Sequence, residues 1–207
     1  MKNMNSNAAE NKLHKYPLPV KLEEMNRMPG QEERGRRTRS SKVFSLGRGL
    51  YQAVMYPEPV HFMNKKTGEL QGIDNTLVPV TDNAGSVYLT NRCNDEMKVE
   101  FHNAQDAAMI LLQNEDGRLL GWKLEDAQEV QPHIVAHAQV QHSDKDLRRN
   151  VLDQLDGEVV YGNIYPDVNL NCSVQSLHFK DYFTFNTAES IRPLSFLLSM
   201  PDMIPEK

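Results

Sequence analysis

From Lys42 onward the chain is a series of short apolar runs that recur roughly every 8–15 residues, each closed by a turn signal. That cadence constrains the fold more than any other feature. It predicts an all-β domain, mainly antiparallel and β-sandwich-like, over residues 42–200. Lys42–Leu46 leads to a Gly47-Arg48-Gly49 turn and then Tyr51–Tyr56. Pro57 and Pro59 interrupt, because proline lacks the N–H that a central strand must donate. Val60–Met63, Gln71–Val80 and Ser86–Thr90 follow, separated by Lys66-Thr67-Gly68 and by Asp82-Asn83-Ala84-Gly85. In Met97–Phe101, Met97, Val99 and Phe101 alternate with Lys98 and Glu100, the period of a half-buried strand.

Ala107–Gln113 and Arg118–Leu124 flank Asn114-Glu115-Asp116-Gly117. An Asp-Gly step between apolar runs predicts a hairpin, since glycine accepts the positive φ such turns need. Trp122 lies near its end and is expected to anchor the core. The last strands expected are Gly157–Ile164, Val168–Gln175, Leu177–Asn186 and Leu194–Leu198, with Tyr165-Pro166-Asp167 as a turn. Ser143–Asp156 is the best candidate for the one short helix, or else a long connection.

Two regions fall outside this pattern. Residues 1–41 are polar and aperiodic, and read as a disordered arm; 201–207 read as a tail. The arm carries Arg34-Gly35-Arg36-Arg37-Thr38-Arg39, which could touch phosphate but reads first as a solvated tail beside Glu32 and Glu33. Much of the modest 39% hydrophobic content traces to this segment. The net charge of −5, mixed in sign along the chain, gives no nucleic-acid footprint. No apolar run reaches the roughly 18–20 residues needed to span a bilayer. No signal-peptide core opens the chain, so it is expected to be cytoplasmic, to lack its export signal, or to be a fragment.

Candidate chemistry is sparse. His133 and His137 could share a metal on a helix, but Ile134, Ala136, Ala138 and Val140 alternate with polar residues as in a strand. A strand puts the two histidines about 13 Å apart, at about 3.3 Å per residue, too far for one ion. Nucleophile-elbow, phosphate-loop, zinc-protease and dinucleotide motifs are absent. Asp74, Asp116, Asp126, Asp153, Asp156, Asp167 and Asp181 mostly fall at turns, where a carboxylate satisfies backbone N–H groups. No cofactor and no metal are expected. Cys93 and Cys172 are too far apart for a CxxC site; a disulfide or two buried thiols both remain open. Among the aromatics, Tyr161 and Tyr165 flank a turn and are the first candidates for exposed ligand contact, for example with a glycan.

Alternation also predicts a core: Val43, Tyr51, Val54, Val60, Ile73, Leu77, Val99, Phe101, Ile110, Leu112, Leu120, Trp122, Ile134, Val140, Val160, Ile164, Val168, Leu170, Phe183 and Phe196.

Several segments, taken in order, resemble the region upstream of the DNRLRE domain in large bacterial RHS-repeat and wall-associated proteins. Ser41–Phe44 and Tyr56-Pro57-Glu58-Pro59-Val60-His61-Phe62 are similar to its opening strands. Gly72-Ile73-Asp74-Asn75-Thr76-Leu77 resembles its "EIDNTL" segment, and Asn91-Arg92-Cys93-Asn94-Asp95 with Lys98–Phe101 its "NKANDFKVxF". Leu120–Ala127 resembles "ISWSLEGA", Val159–Leu170 "VxYxDIFPGVDL", and Phe179-Lys180-Asp181 the "VKExIxL" strand. Gly162-Asn163 stands where that pattern has an acidic step, and Asp167 where it has a turn glycine. The resemblance implies a non-catalytic, β-rich segment of a secreted or cell-surface protein, packed against neighbouring domains. It supplies no catalytic residue. A carbohydrate-binding module or a carbohydrate-active enzyme domain is the alternative expectation.

Overall fold

In a computed structural model the described residues are 31–114, 116–135 and 154–200. The chain is all-β. A ribbon comes first, β1 (Ser41–Gly47) and β2 (Leu50–Met55), then a short hairpin of β3 (His61–Asn64) and β4 (Glu69–Gly72). Next runs an antiparallel meander of β5 (Asp74–Thr81), β6 (Val87–Cys93), β7 (Met97–Phe101), β8 (Ile110–Asn114) and β9 (Leu119–Leu124). β10 (His133–Ile134), β11 (Asp156–Tyr165), β12 (Val168–Gln175) and β13 (His178–Phe185) form a four-stranded sheet in chain order. β14 (Phe196–Ser199) returns to pair with β9, giving a six-stranded sheet of order β14-β9-β8-β7-β6-β5.

The two larger sheets enclose one core. Leu89, Val99, Phe101, Ile110 and Trp122 come from one sheet, and Val159, Tyr161, Val168, Leu170 and Val174 from the other. The alternation within each strand puts these side chains on one face, so burying them drives the two faces together. A smaller core of Tyr56, Val60, Phe62, Ile73 and Leu155 lies under the β3–β4 hairpin.

Gly157 shows how closely the sheets approach. A Cβ there would sit 2.5 Å from the carbonyl oxygen of Asn75 and 3.0 Å from Leu77 Cγ. Only glycine lets β11 pass β5 at this point.

The Asn114 turn forms as expected. Gly117 has φ 80°, Leu112 faces Leu120, and the Asn114 Oδ1 accepts from the N–H groups of Asp116 and Arg118. Tyr165 faces Val168 across Pro166-Asp167, with Asp167 at φ 59°. Proline first and positive φ second is the residue order of a type II turn. Trp122 is buried. Pro79 is tolerated in β5 because β5 is a sheet edge.

Other expectations need correction. The single strand expected over Gln71–Val80 is two. Ile73 is buried in the small core with its N–H donating to Val60 O, and the chain changes sheets there. Residues 31–40 belong to the fold and are not a disordered arm. Glu32 bridges to Phe44, Glu33 N–H donates to Val43 O, and Arg37 forms a bidentate pair with Glu32 at 2.6 and 2.8 Å. Arg39 pairs with Glu96, and the Arg36 guanidinium lies 4.4 Å over the Tyr51 ring. Tyr51, Leu120, Ile134 and Phe196 are exposed, not core. Phe44 is buried in place of Val43, and Val159 and Tyr161 in place of Val160: in each strand the inward phase lies one residue from the expected one. Residues 1–30, Val140, His137 and most of Ser143–Asp156 lie outside the described residues; Asp156 itself opens β11.

Candidate functional site

The two tyrosines singled out for ligand contact are both buried. β11 carries Gly157, Val159 and Tyr161 on its inward face. A bulge between Tyr161 and Tyr165, with Asn163 at φ 53°, then turns Ile164 and Tyr165 inward as well. Tyr161 is fully enclosed; its hydroxyl lies 2.9 Å from His102 O and 3.2 Å from Met109 O, and donates between them. Tyr165 donates to Glu125 O, and the Arg192 guanidinium lies 4.5 Å over its ring. Burial holds both phenols above their ordinary range. They join the edges of the sandwich and present no platform to a glycan.

The most developed polar site is a cluster of buried amides that no motif announces. Asn75 on β5, Asn91 on β6, Asn94 in the β6–β7 turn and Ser176 in the β12–β13 turn are all buried. The Asn75 Nδ2 donates to Leu155 O at 2.8 Å and to Ser176 O at 2.9 Å. Carbonyls only accept, so this fixes which end of the amide is which. Its Oδ1 then accepts from Asn91 Nδ2 and Asn94 Nδ2, each at 3.0 Å. Asn91 also donates to Met97 O at 2.8 Å, and its Oδ1 accepts from Val99 N–H at 3.0 Å. Asn94 donates to Ser176 O at 2.9 Å, and its Oδ1 accepts from Met97 N–H at 3.2 Å. The Ser176 hydroxyl donates to Pro59 O at 2.6 Å.

Every amide proton of the cluster has an acceptor. The cluster ties β5, β6 and β7 to the start of β11, to the β12–β13 turn and, through Pro59, to the small core. A buried network this complete favours one arrangement of its strands. It is neutral and offers no group that takes or gives a proton near neutrality, so its chemistry is that of a joint. Asn75, Asn91 and Asn94 lie within the "IDNTL" and "NRCND" stretches of the chain, which the pairing of β5 with β6 brings side by side.

The charged groups of the outer sheet face form a second cluster. Lys98, Glu100 and His102 follow one another at alternate positions. Lys98 Nζ lies 2.7 Å from one Glu100 oxygen, and His102 Nε2 lies 3.2 Å from the other. The His102 ring stacks on Tyr88 with centroids 4.8 Å apart. The hydrogen bond from His102, aided by Lys98 and opposed by partial burial, holds the Glu100 carboxyl down at about 2. It stays ionised as an ion-pair acceptor, far from the range of a general acid.

His61 is fully buried at the small core. Its Nδ1 lies 2.8 Å from Thr38 O, so it carries the proton and donates. Nε2 is then the bare nitrogen, and it has no partner among the described residues. Burial is the main cause that holds the ring below its ordinary range; the hydrogen bond to Thr38 O opposes it, Arg37 and Lys42 add to it, and Glu32 opposes it weakly.

The carboxylates serve local roles. Asp74 accepts from Thr76 N–H and pairs with Arg92; Asp116 pairs with Lys65; Asp126 and Asp167 hold positive-φ turn positions. Cys93 and Cys172 are free thiols, Cys172 within the main core. His133 sits on β10 opposite Val160, exposed. Among the described residues no three metal-ligating side chains come together, and no helix is long and apolar enough to cross a membrane. No protein-family model, no curated protein and no solved structure matches the chain.

Proposed function

We propose that the chain is a non-catalytic, β-rich structural and interaction module of a secreted or cell-surface protein of the RHS-repeat type. The observation that carries this reading is the buried asparagine joint. The most elaborate polar constellation of the described residues binds backbone carbonyls and N–H groups, and its three asparagines come from two of the segments that resemble the DNRLRE-associated region. Such a unit holds its shape and presents surfaces to neighbouring domains of a larger polypeptide. Of the alternatives, a carbohydrate-binding module loses its aromatic pair with the burial of Tyr161 and Tyr165; a carbohydrate-active domain rests instead on two facing carboxylates.

Protease shaving of intact cells tests the surface assignment. An epitope inserted in the exposed Asp82–Ser86 turn of the natively expressed protein reports cleavage. Loss of the epitope from intact cells is the expected result. An epitope that survives shaving and is digested only after lysis contradicts it.

A further inference from the structure

The free sheet edges of this molecule are not alike. β5 is an edge blunted by Pro79, β13 an edge carrying Lys180 and Asp181, β14 an uncharged edge of only four residues, and β10 only two residues long. Charges, prolines and short length are the ordinary means by which an edge is kept from pairing with another chain. β2 has none of them. Its sequence, Leu50-Tyr51-Gln52-Ala53-Val54-Met55, is six residues without charge or proline. β1 is its one partner strand among the described residues. Leu50, Tyr51 and Met55 are 53%, 46% and 62% exposed. An uncharged six-residue run of high β-propensity on an open edge is the sequence type most prone to strand addition. The ribbon to which it belongs is also short of strands, since two alone are marginal in water. β1 gains a bridge from Glu32, whereas among the described residues β2 gains no further bridge, only the Arg36 guanidinium over the face of Tyr51.

We infer that β2 is a self-association edge, on which β2 of a second copy pairs antiparallel about a two-fold axis to make a continuous four-stranded ribbon.

The strand is self-complementary in that arrangement. Centred on Ala53, the pairing sets Ala53 against its own copy, Gln52 against Val54 and Tyr51 against Met55, so that opposed side chains share one side of the ribbon as an antiparallel ladder requires. No charge meets a like charge. Continuing the register brings Arg48, at the tip of the ribbon, beside the Glu58 segment of the second copy; no carboxylate pairs with Arg48 among the described residues. The available area sets the strength. The exposed parts of Leu46, Leu50, Tyr51 and Met55 come to roughly 400 Å² per copy, taking about 200 Å² for a large side chain. A stable interface needs roughly 800 Å² per partner. The dimer is therefore weak and reversible. This inference does not rest on the proposed function.

Sedimentation velocity of the full chain, over roughly a hundredfold range of concentration, tests it. The weight-average sedimentation coefficient is expected to climb from the monomer toward the dimer. Ala53→Lys puts a charge at the centre of the edge, at an exposed position where folding tolerates it, and should hold the chain monomeric with an unchanged thermal midpoint. Leu198→Lys, on the exposed edge strand β14, should leave the climb intact. A monomer at every concentration, a climb unaffected by Ala53→Lys, or one abolished by Leu198→Lys would overturn the proposal.

Discussion

Asn75 makes four hydrogen bonds from a fully buried side chain, and each of its four partners keeps one other bond when it is lost. Asn75→Ala should therefore cost about 2–3 kcal/mol, the scale of partly unsatisfied buried polar groups plus a small cavity, without abolishing the fold. Asn75→Asp keeps the shape but sets an acceptor against Leu155 O and Ser176 O. It should cost more than the alanine change, and its cost should grow as pH rises and the carboxyl ionises. Urea denaturation followed by Trp122 fluorescence measures both. His61 supplies a second prediction at this scale. Its folded pKa lies below the ordinary 6.5, so the unfolded chain takes up a proton that the folded chain refuses. Its contribution is complete above about pH 6.5 and declines as pH falls below that value. The difference in denaturation midpoint between the natural chain and His61→Gln should shift with pH across that window. A constant difference would mean that the ring is not held neutral by its burial.

At the level of elements, glycine positions separate contacts that give from contacts that do not. Gly157→Ala drives a Cβ into the Asn75 carbonyl oxygen, which is backbone fixed in a sheet, and should destabilise by about 3 kcal/mol or more. Gly121→Ala meets the end of the Leu111 side chain at 2.8 Å and the Ala108 Cβ at 3.1 Å. Leu111 can change rotamer, so the cost should be smaller. Gly162→Ala meets only Asn169 Oδ1 at 3.9 Å and should be nearly silent. Thermal melts of the three rank them. The elements differ in how far the sequence disclosed them. The β8–β9 hairpin was legible because its signals are local: Asn114, Gly117 and the runs on either side. The split of Gln71–Val80 into β4 and β5 was not, since Ile73 leaves the strand to fill a separate core made by residues far along the chain. The phase of β11 differs from the expected one for a related reason. Val159, Val160 and Tyr161 are all compatible with burial, and the bulge at Gly162-Asn163 turns the strand partway along, so Tyr161 and Tyr165 looked like turn flanks and are core. The asparagine joint is hidden in the sequence, although its three asparagines stand within segments similar to a known region, because Asn75 and Ser176 meet only when β5 and the β12–β13 turn pack together.

For the whole molecule, the joint and the second core decide whether the chain behaves as one unit. The smaller core under β3 and β4 connects to the sandwich through Ser176 Oγ to Pro59 O, the Arg39–Glu96 pair and the asparagine cluster. If these links are as complete as their geometry, the small core cannot open while the sandwich stays closed. That is what a module needs if it is to present a fixed surface to neighbouring domains. Native-state hydrogen exchange at increasing denaturant tests this claim most directly. The amides of Ile73 and Val60 in the small core, and of Val99 and Phe101 in the sandwich, should converge on one opening free energy with one denaturant dependence. Exchange of Ile73 and Val60 through a cheaper opening, with a shallower denaturant dependence than Val99 and Phe101, would contradict it.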